Sequence, residues 1–417
     1  MEKLAINGGV PVRQQPFPQW PVYGNREKQL LDEVLKSRIW GFPGIENLVG
    51  PKVKELEEKF ANFNGSSYAI CCTNGTVSLE IALKTMEIGP GDEVIVPALT
   101  WVATAQAVLL VNAVPVFVDI NPETYCIGSE EIEEAITERT KAIIPVHLYG
   151  KVADMDAIMN IAKKYGLKII EDCAHQHGSE WIGKKVGSIG DIGSFSFQSS
   201  KVMTSGEGGM ITTDDKTIAQ RCRSYVNVWN IYNEESPNTN KYAYFGSNAR
   251  ITEFQAAVLL AQLERLDEQI KKREGNAKYL SAELGKILGL EPLADNSKVT
   301  RQSYYVYVFK YKKEEFDGKS LKNFIKALRA EGIPGDHLYE PVYKSPMFGY
   351  DLKGCPLTCK FYGGEPVDYR KLNLPVAEKA SYVEGVGLPQ SVLLGGRKDM
   401  DDIVEAVEKI KAEAHSL

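Results

Sequence analysis

The stretch "EVIVPALTWVATAQAVLLVNAVPVFVD" (residues 93–119) contains two short apolar runs with a longer apolar segment between them. Residues 93–97 and 115–119 have the length and composition of strands that are buried on both faces of a parallel sheet. The segment near residues 102–112 predicts the helix that carries the chain back between them. This strand, helix, strand order predicts an α/β fold with a doubly wound parallel sheet covered by helices.

The same alternation extends along most of the first three hundred residues. Two further buried strands are predicted at "AIIPVH" (142–147) and "LKIIE" (167–171), with helices near 128–138 and 153–165. Upstream, apolar residues at helical spacing after Pro51 predict one helix, since proline suits a first helical turn. "VSLEIALKTMEIG" (77–89) predicts another, which Gly89 would close in a left-handed conformation.

Around Ile251 the pattern changes to a long amphipathic stretch that continues to residue 284. It is followed by an alternating strand, "SYYVYVFKYK" (303–312), and by two helical segments, "GKSLKNFIKALRAEG" (318–332) and "DDIVEAVEKIKAEA" (401–414). We therefore predict a large domain over residues 1–260, with an N-terminal arm, and a smaller C-terminal α+β domain over residues 261–417.

Composition excludes several classes of protein. Of the 417 residues, 43% are apolar and 25% are charged, which is ordinary for a soluble enzyme. The net charge of −6 includes no basic block, so a nucleic-acid-binding surface is not expected, and no apolar run is long enough to span a membrane. Seven scattered cysteines without an export signal predict reduced thiols and a cytoplasmic protein. Cys355 and Cys359 lack a second ligand pair, so no metal site is predicted.

Polar and aromatic residues follow the predicted strands, where ligands bind in open α/β sheets. Gly75 and Thr76 open a helix, and Trp101 follows the strand at 93–97. Asp172 follows the strand at 167–171, and Lys201 follows "SFSFQ" (194–198). We expect these groups to converge on one crevice.

Together these groups suit pyridoxal 5′-phosphate. A helix N-terminus offers N–H groups to a phosphate, and an indole can cover a flat ring. A buried carboxylate can keep a pyridine nitrogen protonated, and a desolvated lysine can form a Schiff base with the cofactor aldehyde. The alternative to these cofactor-binding roles is a purely structural role for each residue. Asp172 would then cap a helix, and Trp101 would pack in the core.

The motifs "CTNGT", "VPALTWVATAQAV", "PVHLYG", "EDCAHQHGS", "GSFSFQSSKVMTSGEGGMITT" and "FGSNARITEFQAAVLLAQLERLD" resemble the DegT/DnrJ/EryC1/StrS family of aminotransferases. The resemblance runs from about residue 17 to the C-terminus. It implies a fold-type I aminotransferase with a mainly parallel seven-stranded sheet between helices. It also implies an enzyme that uses pyridoxal phosphate to aminate keto sugars or keto cyclitols.

The resemblance also implies a role for each site residue. Lys201 would bind the cofactor covalently and act as the catalytic acid and base, and Asp172 would face the pyridine nitrogen. Trp101 and Ala174 would contact opposite faces of the ring, and His175 would lie near the ring hydroxyl. The phosphate would be bound by Gly75, Thr76 and Ser196, and by Asn248 of a neighbouring subunit, which implies a homodimer with shared active sites.

By the same resemblance, the amino donor would be glutamate or glutamine, and the product an amino sugar or aminocyclitol. The "FPQWP" segment and the Lys201 loop favour the branch that aminates scyllo-inosose-like ketones. The alternatives are a nucleotide-linked keto-sugar aminotransferase, an enzyme like 3-amino-5-hydroxybenzoate synthase, and a non-catalytic cofactor-binding regulator. Relatives that act as sugar dehydratases carry histidine at the position of Lys201. Four aromatic residues could line the substrate pocket: Tyr225, Trp229, Tyr232 and Tyr343.

Two other features have simpler interpretations. His147 and His177 fall near the same strand ends, but structural roles are expected for both. The segment "GSIGDIG" (187–193) has the spacing G-x-x-G-x-x-G and precedes a strand, whereas a dinucleotide fingerprint is G-x-G-x-x-G and opens a helix. We therefore do not expect a dinucleotide site there.

Overall fold

The structure is a computed structural model that describes residues 3–44, 49–228, 246–349 and 367–417. Its helices, in chain order, are α1 (Asn25–Ser37), α2 (Pro51–Asn64), α3 (Gly75–Thr85), α4 (Ala103–Leu110), α5 (Ser129–Glu134), α6 (Met155–Tyr165), α7 (Lys216–Val226), α8 (Glu253–Leu284), α9 (Leu321–Ala330), α10 (Pro346–Gly349), α11 (Pro375–Lys379) and α12 (Arg397–Ala412). Its strands are β1 (Tyr68–Cys72), β2 (Glu93–Pro97), β3 (Val114–Val118), β4 (Thr140–Ile143), β5 (Lys168–Asp172), β6 (Glu180–Trp181), β7 (Lys184–Lys185), β8 (Ile192–Ser196), β9 (Gly209–Thr213), β10 (Leu290–Pro292), β11 (Val299–Arg301), β12 (Val306–Tyr311), β13 (Asp336–His337) and β14 (Gly385–Pro389).

The central sheet has seven strands in the order β1-β9-β8-β5-β4-β2-β3. Strand β9 is antiparallel to both of its neighbours, and every other neighbouring pair is parallel. The predicted mainly parallel seven-stranded sheet is therefore confirmed. Strand β2 occupies residues 93–97 as predicted, and the strands predicted at 115–119 and 167–171 each differ from the structure by one residue.

One predicted helix end is wrong. Helix α3 ends at Thr85, and the residue with left-handed backbone geometry beyond it is Glu87 (φ 61°), not Gly89. The N–H group of Gly89 donates to the Asp92 carboxylate (2.9 Å). Gly89 therefore begins the turn that leads into β2, and it does not close the helix.

Buried side chains form two hydrophobic clusters. The first surrounds the central sheet, and the second packs around β12, β14, α9 and α12. Helix α8 contributes to both, with Leu259 and Leu266 in the first and Leu280 and Leu284 in the second. Leu4, near the N-terminus, lies in the second cluster.

The two hydrophobic clusters do not divide the chain at residue 260, the predicted domain boundary. Arg13 forms ion pairs with Asp399 and Asp402 (both 2.7 Å), so part of the N-terminal arm packs against α12. Tyr343 and Tyr369, beyond the predicted boundary, belong to the first cluster. The division at residue 260 stays a prediction. Among the described residues, no helix is both long and apolar enough to cross a lipid bilayer.

Candidate active site

A cavity of about 670 Å³ lies where the carboxyl ends of β2, β5 and β8 meet the N-terminus of α3. Eight of the nine predicted site residues line it, and these are Gly75, Thr76, Trp101, Asp172, Ala174, His175, Ser196 and Lys201. Lining residues that the sequence did not predict include Thr100, Thr104, Gln106, Gln198, Ser200, Glu207, Tyr305 and Tyr339. The lysine and the carboxylate on which the sequence argument depends therefore share one cavity.

Asp172 is the last residue of β5, and only 6% of its surface is exposed. One carboxylate oxygen accepts a hydrogen bond from the N–H of Ala174 (3.2 Å), and the other accepts one from the hydroxyl of Thr104 (2.9 Å). The Thr104 hydroxyl is also 3.1 Å from that of Thr100. Burial raises the pKa of the Asp172 carboxyl group. The carboxylate is thus held in a fixed orientation, where a cationic ring nitrogen would stabilise its charge.

Lys201 is 8% exposed and lies in the loop between β8 and β9. Burial lowers the pKa of its amine from 10.5 to about 8, although the charge of Asp172 acts in the opposite direction. The amine lies 4.3 Å from the centre of the Tyr305 ring. Because its pKa is low, a useful fraction of this amine is neutral, and so nucleophilic, near pH 7.

The hydroxyl residues around Lys201 hold the loop itself. Thr204 donates to the carbonyl of Phe197 (2.9 Å), and Ser205 donates to that of Glu207 (2.7 Å). The carbonyl of Ser199 accepts the indole N–H of Trp20 (2.9 Å), and Ser200 contacts the Tyr305 hydroxyl (2.8 Å). The lysine is therefore carried by a loop whose conformation is fixed on several sides.

The N-terminus of α3 forms another wall of the cavity. Asn74 caps the helix by accepting from the N–H of Val77 (2.9 Å), while the N–H groups of Gly75 and Thr76 belong to the first turn, where the helix supplies no acceptor. A Cβ atom at Gly75 would lie 2.7 Å from the Cβ of Ser196, which is too close for any residue larger than glycine. Free N–H groups, a hydroxyl and the helix dipole together suit a phosphate.

His175 and Trp101 add flat groups to the wall. The N–H of Tyr149 donates to His175 Nδ1 (3.2 Å), so the neutral imidazole carries its proton on Nε2, which is 3.5 Å from the Tyr339 hydroxyl. Burial lowers the pKa of His175 well below 6.5, which keeps the ring neutral. Trp101 is 55% exposed and packs against Tyr339, with the ring centres 5.5 Å apart.

The segment "GSIGDIG" binds a carboxylate of the chain itself. The buried Glu171 carboxylate accepts hydrogen bonds from the N–H groups of Gly187 (2.9 Å), Ile189 (2.8 Å) and Gly190 (2.7 Å). It also accepts from His147 Nε2 (3.0 Å), whose other ring nitrogen accepts the N–H of Ala153. Potential metal-ligand atoms of His147, Glu171 and Cys173 lie close together. These hydrogen bonds account for the arrangement of the carboxylate and the imidazole without a metal.

Comparison with known proteins agrees with this site. Residues 22–386 match the sequence profile of the DegT/DnrJ/EryC1/StrS aminotransferase family. The chain belongs to this family.

Among curated relatives, a Streptoalloteichus tenebrarius protein named "Putative L-glutamine:3-amino-2,3-dideoxy-scyllo-inosose aminotransferase" is 40% identical, over 100% of this chain and 99% of its own length. The L-glutamine:2-deoxy-scyllo-inosose aminotransferase of Micromonospora echinospora is 38% identical over the whole of both chains. Among solved structures, 3-amino-5-hydroxybenzoic acid synthase is 33% identical with a TM-score of 0.82, and the match covers 96% of this chain and 100% of that one.

The chain is accordingly a pyridoxal-phosphate-dependent aminotransferase of fold type I. The residues present fit the cofactor: the first turn of α3 suits its phosphate, Asp172 its ring nitrogen and the amine of Lys201 its aldehyde. The sequence missed Thr104, Tyr305 and Tyr339. Thr104 carries a signal in the sequence, since it is the second residue of α4 and follows the cavity residue Trp101 by three positions, but a helix position alone does not indicate a cavity residue. Tyr305 and Tyr339 come from beyond residue 300, where no local pattern points to the crevice.

Three other expectations concern residues away from this cavity. Asn248 does not line it, and its side chain is exposed beside the short bridge that it forms with Asn227. Tyr225 and Tyr343 are both buried and do not line the cavity either. The predictions for Trp229 and Tyr232, and those for Cys355 and Cys359, lie outside the described residues.

Proposed function

We propose that this aminotransferase transfers the amino group of glutamine to the ring ketone of a scyllo-inosose-like cyclitol. The observation that carries the proposal is the charge of the cavity wall, where Lys201 is the one lysine or arginine among the described lining residues and the His175 imidazole is neutral. The names of the relatives at 38–40% identity support the same class of ketone and the same donor.

The cavity wall favours an uncharged acceptor. Lys201 is assigned to the cofactor aldehyde, and the described lining residues include no other lysine or arginine for the pyrophosphate of a nucleotide-linked sugar. The wall instead offers amides and hydroxyls, from Gln106, Gln198 and Thr100, and the carboxylate of Glu207. These groups form hydrogen bonds with the hydroxyls of a cyclitol.

The same charge argument favours glutamine over glutamate. Both donors carry an α-carboxylate, but glutamate brings a second negative charge into a cavity that already contains Asp172 and Glu207. An additional carboxylate without a cationic partner is costly to desolvate. The side-chain amide of glutamine avoids this cost.

The proposed roles of the residues follow from their positions. Bound pyridoxal phosphate supplies an aldehyde for the amino group and a ring that accepts negative charge from the donor α-carbon. Asp172, fixed by Thr104 and Ala174, keeps the ring nitrogen protonated. The Lys201 amine, with a pKa of about 8, would accept the proton of the donor α-carbon as a general base and later give a proton back as a general acid. Trp101, which lines the cavity, would cover one face of the ring and limit access of water.

A homodimer is part of the proposal. Asn248 is exposed, and two large apolar side chains near it are also exposed, Trp40 (53%) and Phe42 (37%). The guanidinium of Arg250 lies 4.7 Å from the centre of the Phe42 ring, and the ring centres of Trp40 and Phe254 are 5.7 Å apart. We propose that this surface pairs with a second copy and brings Asn248 to the partner's cofactor phosphate. Light scattering tests whether the protein is a dimer. The Asn248→Ala variant, which should remain a dimer but bind the cofactor more weakly, tests the contact with the partner's cofactor phosphate.

We also place the enzyme in the cytoplasm. The five described cysteines are free thiols and all are buried, which agrees with a protein that needs no disulfide.

Two absorbance measurements test the function. Glutamine or glutamate is first added to the cofactor-loaded protein, and conversion to the pyridoxamine form is followed, with Lys201→Ala as the inactive control. We expect faster conversion with glutamine, and no conversion with either donor would indicate a non-catalytic cofactor-binding protein. The pyridoxamine form is then offered 2-deoxy-scyllo-inosose, 3-amino-2,3-dideoxy-scyllo-inosose and a keto-sugar nucleotide. Return of the original spectrum with the nucleotide alone would contradict the proposed acceptor.

A further inference from the structure

Tyr305 lies just before β12 and brings an aromatic ring against the lysine. The ring centre is 4.3 Å from the Lys201 amine and 4.1 Å from the centre of the His175 ring. An aromatic face attracts a cation at this distance, and the attraction is larger where water is excluded. The amine has no hydrogen-bond acceptor among the described residues, and the face of the Tyr305 ring gives it a stabilising contact.

The position of Tyr305 is fixed by its backbone. Its N–H donates to the carbonyl of Tyr149 (3.0 Å), and its carbonyl accepts the N–H of Gln390 (3.1 Å). Both Tyr149 (φ 56°) and Tyr304 (φ 46°) adopt left-handed backbone geometry, which is uncommon for bulky residues. Such conformations persist only where the surrounding structure enforces them, and they are concentrated at functional sites.

The hydroxyl of Tyr305 fixes the ring from the other end. It lies 2.8 Å from the Ser200 hydroxyl, whose own proton is donated to the side-chain carbonyl of Gln198 (2.6 Å). Tyr305 is therefore the donor to Ser200, the residue next to the lysine. The ring is tied to the same loop that carries Lys201, so the two groups keep their relative position.

We propose that Tyr305 is a positioning residue for Lys201. The face of the Tyr305 ring holds the free lysine amine in its ammonium form over the cofactor site. The inference rests on the proposed function, in which Lys201 first removes a proton and then returns it. An amine surrounded only by apolar groups would remain neutral and could not return the proton. The ring adds to the attraction of Asp172, while the neighbouring imidazoles of His175 and His177 are neutral and supply no negative charge.

Competitive labelling of the apoprotein tests this role. Acetic anhydride reacts with neutral amines, so the yield of the acetylated Lys201 peptide between pH 6 and pH 11, measured by mass spectrometry, gives the midpoint of its titration. We expect Tyr305→Leu to lower that midpoint by about one pH unit. Tyr305→Phe, which keeps the ring and loses the hydroxyl, should retain the wild-type midpoint. In the loaded protein, the glutamine half-reaction should slow in Tyr305→Leu and recover in Tyr305→Phe.

Two results would overturn the proposal: an unchanged midpoint in Tyr305→Leu, or an equal fall in Tyr305→Phe. Circular dichroism checks that each variant folds, and Tyr305→Met is read in the same way if the leucine variant does not fold. The labelling needs neither cofactor nor substrate, so it gives a result for Tyr305 even if glutamine fails to react.

Discussion

Replacement of Lys201 by methionine should make the apoprotein more stable near neutral pH. Burial lowers the pKa of this amine from 10.5 to about 8, which corresponds to about 3 kcal/mol of folding free energy at 1.36 kcal/mol per pH unit. Between those two pH values the unfolded chain binds more protons than the folded one, so the cost of burying the ammonium is largest below pH 8. It disappears as the pH rises through 10.5. Methionine has a similar length and no charge, so it carries no such cost.

Urea unfolding of the apoprotein measures this difference. At each pH, the unfolding free energy of the wild type is subtracted from that of the variant. This difference should be about 3 kcal/mol larger at pH 7 than at pH 10.5. Lys322→Met, at an exposed position on α9, is the matched control and should give a difference that does not depend on pH. A Lys201→Met difference that is the same at both pH values would refute the inference that the amine is desolvated.

Four further substitutions test the remaining parts of the site. Asp172→Asn should lower kcat/KM roughly 10²- to 10⁴-fold with an unchanged circular dichroism spectrum, because the amide cannot keep the ring nitrogen protonated; a fully active variant would contradict that role. Thr104→Val should lower kcat/KM roughly tenfold or more in steady-state assays, since a hydrogen bond to a charged group is lost, and Thr104→Ser should restore it. Gly75→Ala should weaken cofactor binding roughly tenfold in a fluorescence titration, because the new Cβ meets Ser196; an unchanged Kd would remove α3 from the phosphate site. Glu171→Gln should lower the unfolding free energy, measured in urea, by about 2–3 kcal/mol. Backbone N–H groups donate to both oxygens of Glu171, and the NH₂ group of glutamine cannot accept such a hydrogen bond.

The sequence predicted the parts of the site that follow strands directly. Asp172 and Trp101 were found because the carboxyl ends of parallel strands meet at one edge, so position along the chain translates into position in space. Tyr305 was not found, because its place depends on how the chain after α8 packs back against the sheet. The alternation at 303–312 predicted a strand, and β12 confirms it, but alternation does not say which cavity the preceding tyrosine enters.

The end of β5 explains how the glycine-rich segment at 187–193 serves the active site. Consecutive residues of a strand face opposite sides of the sheet, so Glu171 and Asp172 point in opposite directions. Glu171 anchors the loop at Gly187–Gly190 through three backbone N–H groups, and that loop leads into β8, which ends at Ser196. β8 also pairs with β5 in a register that sets Asp172 opposite Ser194. The same dipeptide therefore fixes the strand that leads to the lysine loop and presents the carboxylate to the cavity. The separation between Asp172 and Lys201 is thus a property of the sheet and not of the loop alone.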